Sequence, residues 1–140
     1  MKNKAPLSLM EQLCMLLVFA LSAALCVQIY VLSDRISRYC ETRGQAVTLV
    51  QNTAEKVKFC KGDADRYPEL LGGEGNDEKW QLGYDENWEK VPLEQACYRL
   101  VVASEDTGMA SLGRSTVSAF SEKDGELFSV TVSWQEAAYE

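Results

Sequence analysis

The residues able to do chemistry in this chain are carboxylates and thiols, because it contains no histidine. The commonest general base, the commonest metal ligand and the middle member of a Ser/His/Asp triad are therefore missing. Five cysteines are present. Cys14 and Cys26 fall in an apolar run, and Cys40, Cys60 and Cys97 lie beyond it with no CxxC spacing. Any two of the outer three can form one disulfide in an oxidising space, and Cys60 with Cys97 is the pair we favour. Three free, partly buried thiols are preferred over any disulfide. The carboxylates Asp63, Asp65, Glu69, Glu74, Asp77 and Glu78 form an acidic run, a composition that suits calcium, but the EF-hand spacing is absent. A solvated acidic loop explains the run without a metal, and we assign neither metal nor cofactor. Trp80, Trp88 and Trp134 sit on alternating apolar patterns, which favours core positions over a binding surface. No nucleotide-binding glycine loop and no paired-carboxylate signature occurs, so an enzyme is the least favoured class.

One more carboxylate stands apart. Glu11 stands two residues before the run Leu13–Leu32 (LCMLLVFALSAALCVQIYVL), twenty residues without a charge. As a helix this run rises about 30 Å, enough to cross the hydrocarbon of a bilayer. Lys2 and Lys4 precede it and Arg35, Arg38 and Arg43 follow, so charge asymmetry alone does not orient it. A secretory signal cut after Ala24 is the competing reading, but it would leave a soluble protein beginning with the apolar tail LCVQIYVL. The anchor is preferred. Glu11 then either reaches the water of the headgroup region or pairs with a positive group on a neighbouring helix.

The formal net charge is −7, and residues 33–140 carry 12 basic against 20 acidic side chains. That balance opposes phosphate binding, so no direct nucleic-acid partner is expected.

Residues 7–25, LSLMEQLCMLLVFALSAAL, resemble the N-terminal segment of type IV pilins and type II secretion pseudopilins. Members of that family begin with a short basic leader, then a motif of the form G-F-T-L-I-E and a long apolar helix. Leu7, Ser8, Leu9, Met10 and Glu11 stand where the five residues after the leader stand. Over its whole layout the chain resembles small pseudopilin-like proteins of Gram-positive, Clostridia-type bacteria. The resemblance implies a filament-type assembly in which Glu11 meets the free amine of Leu7 on a neighbouring subunit. It also implies pilin-like partners through the N-terminal helix, a cytoplasmic N-terminus and an extracytoplasmic C-terminal domain in the cell membrane. The chain departs from the pattern at Pro6, which replaces the glycine before the cut and puts processing between Pro6 and Leu7 by a prepilin peptidase in question.

These residues need elements to position them. Beyond Leu32, Ile36, Tyr39, Cys40, Val47, Val50, Ala54 and Val57 recur at helical spacing, predicting an amphipathic helix that continues the apolar one to about Cys60. Gly44 is its weak point and a place for a bend, and Gly62 is the expected C-cap. DADRYPELLGG predicts a short second helix capped by Asp63, with Leu70 and Leu71 inward. Period-two patterns then predict strands from Trp80 to Tyr84, from Trp88 to Val91 after a turn at Asp85–Asn87, and over 97–104, 113–120 and 127–136. The reading is an α+β fold: a long N-terminal helix, half transmembrane and half amphipathic, packed on a four- to five-stranded antiparallel sheet. Residues 1–12 form the leader and pilin-like motif, 13–32 the spanning helix, 33–61 its amphipathic continuation and 62–140 the β-rich domain. Two functions fit: a non-catalytic subunit of a pilus- or secretion-type assembly, and a stand-alone anchored binding domain.

Overall fold

The computed structural model describes residues 4–136; Lys2 of the basic leader and the last four residues of the β-rich domain lie outside the described part. The chain divides into two compact units, one ending at Glu41 and the other beginning at Thr42. A single helix, α1 (Ala5–Phe59, 55 residues), contributes to both.

In the first unit α1 is exposed at every described position through Glu41. It is long and apolar enough to cross a membrane. Among the described residues its one ion pair is Arg38–Asp34 at 3.0 Å, one turn apart near the end of that unit. Ile36 and Tyr39 are 55% and 41% exposed, which corrects the expectation that they cover the sheet. The stripe that does so begins at Ala46.

In the second unit the helix buries Ala46, Val50, Thr53, Ala54 and Val57, whose three- and four-residue spacing keeps them on one face. Burying Val50 and Val57 contributes about 1.5–3 kcal/mol each. The helix runs unbroken through Gly44. It ends in a Schellman turn: Lys61 N–H donates to Lys58 O at 3.2 Å and Gly62 N–H to Val57 O at 3.0 Å. Lys61 takes the left-handed position first (φ 52), with Gly62 (φ 70) following, so the cap sits one residue earlier than expected.

A 3-10 turn (Ala64–Arg66), its N–H of Asp65 accepted by the Asp63 carboxylate, leads into the short α2 (Tyr67–Leu70). The pair closes at Gly72 and Gly73, both at positive φ. Leu71 packs inward as expected, Leu70 is half-buried, and Tyr67 is the additional core residue.

Among the described residues the sheet has six antiparallel strands. They are β1 (Glu74–Gly75), β2 (Lys79–Tyr84), β3 (Lys90–Val91), β4 (Tyr98–Glu105), β5 (Leu112–Ser121) and β6 (Gly125–Gln135). β2, β4, β5 and β6 make the meander, while β1 and β3 pair with successive halves of the same edge of β2. β1 was not legible in sequence, having only two residues. Trp88 lies in the turn and not in a strand, with φ at 62.

Register explains the layers. Trp80, Leu82 and Tyr84 face Val102, Leu100 and Tyr98 across β2–β4, and Leu100 and Val102 face Ala119 and Val117 across β4–β5. This apolar face joins the α1 residues in one core. The opposite face is hydroxyl-rich: Thr116 donates to Glu105, the Thr116 and Thr131 hydroxyls meet at 2.9 Å, and those of Ser118 and Ser129 at 3.0 Å.

Candidate functional site

The sequence directs attention to Glu11, and the local structure follows from the residues around it. Pro6 lies in the first turn of α1, where its missing N–H would have no helical acceptor in any case. Ser8 N–H donates to Lys4 O at 3.1 Å, which closes that turn. Pro6 and Leu7 are therefore both helical, with Leu7 75% exposed.

Glu11 stands two turns above Lys4, and the two border one shallow groove with Leu7, Ser8, Met10 and Cys14. Glu11 also borders the next groove along the helix, with Cys14, Met15, Val18, Phe19 and Ser22. Seven and four residues separate Glu11 from Val18 and Met15, so a band of apolar and small groups runs up its own face. Among the described residues Glu11 has no ion-pair partner. Ser22 spends its hydroxyl on its own helix, donating to Val18 O at 2.8 Å. A carboxylate at the foot of an uncharged, lipid-compatible helical segment can accept hydrogen bonds from, and pair with, a cation brought by another molecule.

The thiols do not form the possible Cys60–Cys97 disulfide. Cys60 and Cys97 are both free. Cys60 is buried in the core at the end of α1, its thiol donating to Val57 O at 3.4 Å. Two residues on, Gly62 abuts Trp134, whose partner across the ladder is Gly113. Cys97 precedes Tyr98, whose partner is Ser121 at the far end of β5. Eight residues of strand separate Gly113 from Ser121, roughly 27 Å. A disulfide needs Cα atoms within about 7 Å, so the fold places these cysteines at opposite ends of the sheet. Cys97 is half-buried, its N–H donating to Tyr84 O at 2.9 Å.

The acidic run is dispersed among a helix cap, α2, β1 and the turn before β2. Among the described residues no three Asp, Glu or Cys side chains converge. Trp80 and Trp134 are core residues, 7% and 9% exposed. The Trp80 indole donates to Gly72 O at 2.7 Å and meets Tyr67 edge to face at 5.5 Å. Trp88 is half-buried and lies flat on Tyr98, ring centres 4.1 Å apart and planes 6° from parallel. Its turn is held by Asp85, whose carboxylate accepts from the N–H groups of Asn87 and Glu89 at 2.9 Å each. The stack was not predicted, because a tryptophan in a left-handed turn leaves no periodic signal.

Tyr67 has its hydroxyl buried without a hydrogen-bond partner. Burial, then the nearby Cys60 and Asp63, push its phenol up to about 12. Burial also raises Tyr84. These are the groups of a packed core.

The fold and this helix together define a chain with one membrane-compatible helix that extends into the core of an antiparallel sheet domain. Comparison with family models, with curated proteins and with solved structures gives no match.

Proposed function

We propose that this chain is a non-catalytic, pilin-like subunit of a type IV pilus or type II secretion-type assembly. α1 inserts it into the membrane in a single pass, with a cytoplasmic N-terminus and an extracytoplasmic sheet domain. The observation that carries the reading is the position of Glu11. It is an exposed carboxylate at the start of an uncharged helical segment, without an ion-pair partner among the described residues. An unpaired carboxylate against hydrocarbon is costly, and a cation from a neighbouring subunit offsets that cost. Other pilin-like subunits and the bilayer are thus the partners, and neither cofactor nor nucleic acid is needed.

Replacing Glu11 with alanine tests this. Loss of the variant from its native complex, with the chain still in the membrane fraction, is the expected result; unchanged incorporation overturns the proposal. The mass of the native N-terminal peptide addresses processing, a mature chain starting at Leu7 being the pilin-like outcome.

A second reading, an anchored binding domain that joins no filament, is favoured by Pro6. A proline before the cut, inside a helical turn, suits a chain that keeps its leader. In that case Glu11→Ala has no effect and the N-terminal peptide retains residues preceding Leu7.

A further inference from the structure

The two sides of the sheet end differently. The outer edge of β2 is covered in halves by β1 and β3, and Pro92 follows β3 directly, so no long row of free backbone groups remains there. β6 forms the other edge over 11 residues and, among the described residues, pairs with β5 alone. Proteins usually guard such an edge with charge, proline or a bulge. Between Leu127 and Gln135 there is neither charge nor proline, and the bulge at Ala119/Phe120 lies near one end.

The ladder shows which backbone groups are free. Glu136 N–H donates to Ser111 O at 2.9 Å, and hydrogen-bonded pairs alternate with non-bonded ones from there. Ser129, Thr131 and Ser133 consequently turn their N–H and C=O groups to the open edge. Their hydroxyls agree, since the close Thr116–Thr131 and Ser118–Ser129 contacts, 2.9 and 3.0 Å, belong to non-bonded pairs.

Phe128–Trp134 reads Phe-Ser-Val-Thr-Val-Ser-Trp, almost the same in both directions about Thr131. Antiparallel pairing with another copy on a two-fold axis at Thr131 sets Phe128 opposite Trp134, Ser129 opposite Ser133, Val130 opposite Val132 and Thr131 opposite itself. Valine meets valine and hydroxyl meets hydroxyl, the cross-strand pairs that stabilise sheets. The hydroxyl row through Thr116 and Thr131 continues into the second copy. Like charges meet only where Glu126 opposes Glu136, at the two ends.

We propose that β6 is a self-recognition edge, joining two copies of this chain through an isologous, Thr131-centred antiparallel strand pair. The two-fold stands normal to the sheet, so segment 42–59 of α1 runs in opposite directions in the two copies. Subunits side by side in a filament share one direction, and this contact is therefore independent of the assembly proposed above. A strand pair of this length buries less than the roughly 1,200–2,000 Å² of a standard interface, so the association is weak and is best read by trapping it.

The test is disulfide trapping of the full chain in detergent, where no bilayer dictates direction, with Cys14, Cys26, Cys40 and Cys97 replaced by alanine. Thr131→Cys is expected to cross-link to itself, because paired residues lie about 5.5 Å apart, within disulfide reach. Ser129→Cys alone should give at least about ten-fold less, its own symmetry mate being about 13 Å away along the strand. Mixing Ser129→Cys chains with Ser133→Cys chains should restore the cross-link. Introducing Thr131→Lys into both chains of that mixture, which sets two ammonium groups face to face, should abolish it. Equal cross-linking at 131 and 129, no gain on mixing, or indifference to Thr131→Lys would each overturn the proposal.

Discussion

The indole of Trp134 occupies the space that a side chain at Gly62 would need, and the same ring excludes a Cβ at Gly113. The turn that ends α1 is thereby clamped against the end of the β5–β6 pair that lies away from its connecting turn. Neither glycine is replaceable for a steric reason, and Gly62 also sits at φ 70.

Gly62→Ala and Gly113→Ala are each expected to destabilise the domain by about 1–3 kcal/mol through overpacking, with a further backbone cost at Gly62. Gly108, also at positive φ but with open space around it, isolates the backbone cost. Thermal melts of the full chain in detergent should rank the Gly108→Ala variant as the most stable of the three.

The core begins at Ala46, and mutational cost should follow. Leu100→Ala, at a fully buried position, is expected to lose about 2–5 kcal/mol. Ile36→Ala, at an exposed helical position, should stay within about 0.5 kcal/mol. Comparable losses at both in denaturant titrations would mean that the helix packs on the domain from Ile36 onward.

Tyr67 gives the domain a pH dependence. Its phenol is held up to about 12 in the fold, above the ordinary value of 10.0, so the folded state holds the proton more tightly than the unfolded chain. That contribution is fully present below pH 10 and is lost as pH rises from about 10 towards 12. Tyr67→Phe should flatten the decline in stability over that window. At neutral pH it should cost less than about 1 kcal/mol, because the hydroxyl it deletes has no hydrogen-bond partner.

The thiols should remain separate. Reductant is expected to leave the melting temperature unchanged. A thiol reagent should modify half-buried Cys97 in the folded protein and reach Cys60 only on unfolding. A mass two hydrogens lower for a peptide pair containing both cysteines would contradict their separation at opposite ends of the sheet.

Much of the fold was legible because its periodicities are local. The 3.6-residue repeat from Val50 to Val57, the period-two alternation of Trp80, Leu82 and Tyr84, and the turn at Glu122–Gly125 are statements about neighbours in sequence, and the structure keeps them. Ile36 and Tyr39 belonged to the same helical stripe, yet where a stripe begins to be covered depends on how far the sheet extends beneath it. The placement of Glu11 beside an uncharged run is legible in the sequence alone, because it depends only on neighbours along the chain.

The sequence by itself determined a membrane-compatible helix, its amphipathic continuation, the strands of the meander and the absence of histidine chemistry. Tertiary structure alone decided the separation of Cys60 from Cys97, the clamp of Trp134 on Gly62 and Gly113, the Trp88–Tyr98 stack and which strand is left at an open edge. The physical reason is the same in each case: these relations join residues far apart along the chain, and only strand order and register set the distances between them.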